Sequence, residues 1–390
     1  MSRHLLMAIL VVVGMLGGQA VRQGHVNPVV RTVMLRQFLG TVVVDEHLGQ
    51  AFIATSVGQG GAGSIMALDT RMGARIRTIA VRQVPWALAV DARTDTVFGA
   101  TRNGVLAINP RAGTVAHVIT LPALTNPVLG VDEQANRLVV AGSVPDTRPY
   151  ASPRSVVDVL DAQSGTLLHG SMLRGRATAI AVDARTDRAF VVQDDSVAVV
   201  SMTNGQIIRH VPVGRGPRAM AVDIATGRVF VIDDGTASVR VLDARTGALI
   251  GTVPVGVEPW ALAVDERTNH VFVVNQAVRG TVSMLDAISG RLLRTIEVGV
   301  NPVAVATEAR SGRVFVANGG VLHSSANINP TGSVTELDAM SGTPLRTIPL
   351  SNSFLPRIVA IDEQAGRALV VSDVLGVSGS SAVTLLDATR

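Results

Sequence analysis

The sequence predicts an all-β fold, an eight-bladed β-propeller of four-stranded antiparallel blades, and three observations predict it. A valine-rich phrase ending in an acid recurs eight times, at Asp45, Asp91, Asp132, Asp183, Asp223, Asp265, Glu308 and Asp362. Each copy is followed by a second apolar phrase, clearest as VRVLDARTGALIGTVPVG from Val239 and VSMLDAISGRLLRTIEVG from Val282. Copies lie 40 to 54 residues apart, the length of one propeller blade.

The elements follow in chain order. Arg3 and His4 precede the apolar stretch Leu5 to Gly18, and Gly18-Gln19-Ala20 supplies small residues for a cleavage site. Those 14 apolar residues fall short of the roughly 20 that span a bilayer as a helix. Residues 1–20 therefore read as a secretory signal, with an uncleaved anchor as the alternative, and 21–390 as the propeller. Next, Val30 to Leu35 (VRTVML) matches Leu345 to Leu350 (LRTIPL), the fourth strand of the seventh unit. The eighth unit runs out at its third strand, Val383 to Asp387. The N-terminal strand is thus expected to complete the last blade and close the ring, leaving no open edge there. Seven blades is the alternative count, should the first or third unit prove irregular.

Residues 259–298 show how one unit is built. The stretch parses into strands at Ala261 to Val264, Val271 to Val274, Thr281 to Leu285 and Leu292 to Val298. The turns Asp265 to Asn269 and Asp286 to Gly290 both begin with Asp and end on Asn or Gly. Asp can accept from nearby backbone N–H groups, and Asn or Gly tolerates positive φ. The repeated Asp is accordingly expected to serve turn geometry and not a metal array.

First and third turns share one face of a meander, and second turns share the other face with the links between blades. The first and third turns are short and uniform. The second connections vary, at Ser56 to Ser64, Ser143 to Ser155, Asn318 to Ser333 and Ser372 to Ser381. Insertions on one face of a rigid scaffold mark where recognition sits.

Composition narrows the function classes. All 34 basic residues are Arg, opposed by 30 acids, and no Arg run appears, so nucleic-acid binding is not expected. Cys is absent, which removes disulfides, thiol nucleophiles and thiolate metal sites. There is no nucleophile elbow, phosphate-cradling glycine loop or zinc spacing, and Gly60-Gly61-Ala62-Gly63 lies in a hairpin loop without opening a helix.

The stretches MAVDIATGRVFVID from Met220, LAVDERTNHVFVVN from Leu262 and VAVATEARSGRVFVAN from Val303 resemble the YVTN-type repeat, including exported bacterial proteins described as YncE-like. The resemblance covers nearly everything after the signal segment. It implies a propeller, export and a binding or scaffold role in many members, with no shared catalytic set. Phe stands where the tyrosine of the repeat's name would be, at Phe52, Phe98, Phe190, Phe230, Phe272 and Phe315, which keeps the aromatic packing.

The candidate site residues come from the position five before each first-turn acid, where the link enters the innermost strand. Around the ring it reads Gly40, Trp86, Pro127, Thr178, Arg218, Trp260, Val303 and Arg357. Trp86, Arg218, Trp260 and Arg357 near a channel mouth suit a planar or anionic ligand. Strand parity, shared with Leu88 and Val90 or Leu262 and Val264, makes packing between blades the first expectation for both Trp, and a solvated or salt-bridged rim is an equally ordinary place for the two Arg. His323, in the longest loop, is the histidine best placed for chemistry but has no visible partner. Asp194-Asp195 and Asp233-Asp234 are expected to serve turn chemistry with Arg215 and Arg218 as counter-charges, and Ca²⁺ is the weaker reading because the loops lack calcium-loop spacing.

The expectation is an exported propeller, periplasmic, extracellular or at the cell surface, that binds a protein or small molecule on its long-loop face. No catalytic residue, metal or cofactor is assigned. The alternatives are an enzyme or a holder of a haem- or quinone-type cofactor at the channel mouth, and a purely structural surface protein.

Overall fold

The computed structural model describes residues 28–389 apart from 57–61, 146–152, 278, 321–331, 352 and 377–378. It is a ring of eight four-stranded antiparallel sheets. Blade 1 shows the plan, from the innermost strand Phe38–Asp45 through Gln50–Ser56 and Gly63–Asp69 to the outermost Arg75–Val81. Blades 2 to 7 repeat it over 87–120, 125–174, 179–212, 217–254, 259–297 and 302–349. Blade 8 contributes Phe354–Val374 as its two inner strands and Ser381–Asp387 as its third. Its outer strand is Val29–Leu35, antiparallel to Ser381–Asp387 with Leu35 opposite Ser381 and Val29 opposite Leu386. The first described strand and the last strand therefore share one sheet, as the repeat arithmetic required, and the count is eight.

Each blade is too thin to hold a core of its own, and burial happens at the seams. Eight apolar clusters are found among the described residues, one between each pair of neighbouring blades. The six repeat phenylalanines are at most 1% exposed and each packs toward the following blade, as Phe52 does against Leu88 and Val97 and Phe272 against Val314 and Val316. Burying such a ring is worth about 1.5–3 kcal/mol. Val139 and Leu369 take this place in blades 3 and 8, so the packing needs a large apolar side chain more than an aromatic one.

The turns behave as their chemistry dictates. In blade 6, Asp265 Oδ1 accepts from the N–H groups of Arg267 at 3.0 Å and Thr268 at 3.1 Å. Asp91 and Asp132 do the same in blades 2 and 3. The fifth turn residue has positive φ in all eight blades, at Gly49, Asp95, Asn136, Asp187, Gly227, Asn269, Gly312 and Gly366. The acid ladder is turn chemistry. No helix among the described residues is long and apolar enough to cross a membrane.

Candidate functional site: the loop face

Two faces with different chemistry result from this plan. The turn face is closed off by carboxylates that the fold consumes. The first-turn acids are at most 1% exposed, and four of them are followed directly by Glu. Each of those Glu side chains reaches back to the preceding blade and accepts a backbone N–H. Glu133 takes that of Ala92 at 3.1 Å, Glu266 that of Ile224 at 2.9 Å, Glu363 that of Ala309 at 3.1 Å, and Glu46 that of Glu363 at 3.1 Å. Burial pushes all four carboxyls up, that of Glu363 to about 7, where Glu46 and Glu308 add their repulsion. These hooks were not expected from the sequence, although the Asp-Glu pairs at 45–46, 132–133, 265–266 and 362–363 are their visible signal.

The loop face carries the links, the strand ends from which the long second connections leave, and the four described candidate residues. Arg218 lies over the Trp260 ring with its guanidinium carbon 4.4 Å from the centroid. It also donates from Nε and Nη2 to Asp234 Oδ2 at 2.9 and 2.7 Å. The expected pairing of Arg218 with the second turn of its own blade therefore holds, while Asp233 is fully buried and pairs with Arg240. Trp260 is half-buried against the cluster of blades 6 and 7, in line with a packing role. Arg357 is bound to both oxygens of Asp373, at 3.1 and 2.9 Å. Trp86 departs from the packing expectation, because it is 52% exposed and belongs to none of the seam clusters. His323 lies outside the described residues.

The four candidates do not form one pocket. They are stations around the rim, two in adjacent blades 5 and 6 and one each in blades 2 and 8. The axis itself offers little chemistry. Innermost-strand side chains that keep partial exposure are chiefly aliphatic, including Val44, Val90, Val131, Val182 and Val264, and Thr307 donates to the Val264 carbonyl at 2.9 Å. Among the described residues no group of His, Asp and Glu is arranged to hold a metal ion.

Comparison with known proteins agrees at the level of the fold. Residues 218–354 match the Choice-of-anchor I domain, a stretch running from blade 5 into the start of blade 8. No curated protein matches the sequence. Among solved structures, Chaetomium thermophilum Sqt1 bound to the N-terminus of the ribosomal protein L10 is similar with TM-score 0.66 and 15% identity, covering 90% of this chain and 97% of that one. BamB from Moraxella catarrhalis is similar with TM-score 0.59 and 15% identity, covering 92% and 99%. A eukaryotic initiation factor is similar with TM-score 0.54 and 11% identity, over 80% and 88%. At such identities the likeness is one of architecture: this chain is a β-propeller, part of which is similar to the Choice-of-anchor I domain.

Proposed function

We propose that the protein is an exported binding scaffold of the YVTN, YncE-like kind, and that it recognises its partner on the loop face. The observation that carries the reading is the separation of the two faces. The turn face spends its carboxylates on the fold, whereas the strand ends joined by every long connection, and the exposed Trp86, lie on the opposite face. Variable loops on a rigid ring are a recognition surface, and a pre-formed ring loses little entropy when it binds. The Sqt1 structure, a propeller holding a protein segment, and the apolar sequence at 5–18 support the reading. So does the aliphatic lining of the axis, which favours binding over catalysis.

The test is native mass spectrometry of the protein purified from its own host. It compares the full chain with a variant whose second connections in blades 1, 3, 7 and 8 are cut to the length of the blade 4 turn. An additional mass retained by the full chain and lost by the shortened one, with the unfolding midpoint unchanged, is expected. Retention of that mass by the shortened protein would move recognition off this face.

A further inference from the structure

We propose that Trp86 is an open stacking platform for an acidic protein segment, with Arg36, Arg82 and Arg102 supplying the counter-charge. The inference rests on loop-face recognition and names its partner chemistry. It comes from comparing two stations that the repeat makes equivalent. Trp260 and Trp86 hold the same position in blades 6 and 2. The residue of the preceding blade at that position is Arg218 for Trp260, and it covers the indole at 4.4 Å. For Trp86 it is Gly40, exposed and without a side chain. One tryptophan is capped by its own protein; the other is not.

The glycine is not there for the backbone. A Cβ on Gly40 would meet only Ala54, at 3.5 Å from its carbonyl oxygen and 3.6 Å from its Cβ, which is ordinary contact. Its φ is not in the left-handed region that favours glycine. A side chain would fit, and its absence leaves the indole face open. Trp86 is anchored for such a role by its main chain, which donates to the Ala100 carbonyl at 2.8 Å.

The surrounding charge selects the occupant. Arg36 and Arg82 lie on the links entering blades 1 and 2, and Arg102 lies in the second turn of blade 2; all three are exposed. None makes an ion pair among the described residues, and no described carboxylate lies on the loop face of blades 1 to 3. The exposed loop-face carboxylates Asp194, Asp195, Glu258 and Glu297 all belong to blades 4 to 6 or the links between them. Arg357 and Arg218 are already matched by Asp373 and Asp234. A second copy presenting its own Trp86 sector would bring arginines against arginines. An acidic segment with an aromatic side chain meets both requirements, because its ring stacks on the indole and its carboxylates pair with guanidinium groups. Exposed Trp flanked by Arg is also the composition of interface hot spots.

The protein contains two Trp, so Trp260→Phe leaves Trp86 as its own fluorescent reporter. The probe is a synthetic peptide with one Phe flanked on both sides by Glu. Saturable quenching of Trp86 is expected, weakened at least tenfold when Phe is replaced by Ala or Glu by Lys, and weakened by raising salt from about 50 to about 200 mM. Gly40→Arg, which copies the blade 5 cap, is expected to lower affinity at least tenfold with an unchanged unfolding midpoint. Should that variant fold poorly, Arg82→Ala with Arg102→Ala replaces it, with the same loss expected. An equal response to the Lys peptide, or an unchanged affinity in Gly40→Arg, would overturn the proposal. So would stronger quenching by a non-protein polyanion such as heparin. If Trp86 stays silent while the shortened-loop protein still loses its partner, loop-face recognition stands and the acidic-segment assignment falls.

Discussion

Glu363 shows how one side chain can tie the ring to pH. The residue is 6% exposed, and its carboxyl accepts the Ala309 N–H and faces Glu46, Glu308 and Arg310, with Asp362 beside it in the chain. Burial is the main cause that pushes it up to about 7, from an ordinary value of 4.5. Because the folded state holds the proton more tightly than the unfolded chain, the contribution is fully present below pH 4.5. It is lost as pH rises through 7, by about 1.4 kcal/mol for each pKa unit of difference. Thermal unfolding is therefore expected at a lower midpoint at pH 8 than at pH 5.5, and Glu363→Gln, which keeps an acceptor for Ala309, should flatten that difference. An unaltered pH slope in the variant would sink the assignment. The Asp half of each Asp-Glu pair was readable, because its acceptor role is local to the turn. The Glu half was not, since its partner is a backbone group in another blade, from 41 to 317 residues away along the chain, and nothing in the local spacing points to it.

At the scale of the strand, the outer rim is held by a repeated clamp. The Arg of the outer strand's Arg-Thr pair donates to a carbonyl of the next blade's third turn. Arg31 reaches Met72, Arg77 reaches Arg111, Arg294 reaches Ser341 and Arg346 reaches Asp387. The protein's many arginines are thus partly structural, which explains why their number says little about partners. Blade 7 adds a buried charge, Glu336, fully buried on strand Ser333–Asp338 and bound by Arg313 and by Arg346 Nε at 2.5 Å. Desolvation and mutual repulsion hold the Arg313 guanidinium below its usual range. Removing the carboxylate would leave two half-buried cations facing each other across its empty site. Glu336→Ala is expected to cost about 3–5 kcal/mol, read as a fall in the denaturant midpoint, and a change below 1 kcal/mol would show the cluster to be solvated. The strand itself was predictable from the repeat; Glu at a core position breaks the apolar pattern, and the two arginines on the neighbouring strands of the same blade explain it.

At the scale of the whole molecule, closure depends on one short strand. Val29–Leu35 makes six register pairs with Ser381–Asp387. At about 0.5–1.5 kcal/mol net for each ladder hydrogen bond, deleting residues 28–35 should destabilise the ring by something on the order of 3–9 kcal/mol. It should also leave Ser381–Asp387 as a bare edge that associates with other copies. Light scattering and the unfolding midpoint measure both effects, and a monomer of unchanged stability would contradict this view of the seam. Blade number, closure and the division into two faces were all legible, because each is a matter of repeat period and loop length. Which rim residues stay open was not. Trp86 and Trp260 read identically in their own phrases, and they differ only through Gly40 and Arg218, which come from a neighbouring phrase.

The same seam sets a timetable for synthesis. The first strand of the fold leaves the ribosome about 350 residues before its partner at 381–387. At roughly 5–20 residues per second, that strand waits about 20–70 seconds with nothing to pair with. Seven blades can assemble as they emerge, but the ring has no route to completion until its last strand has been made.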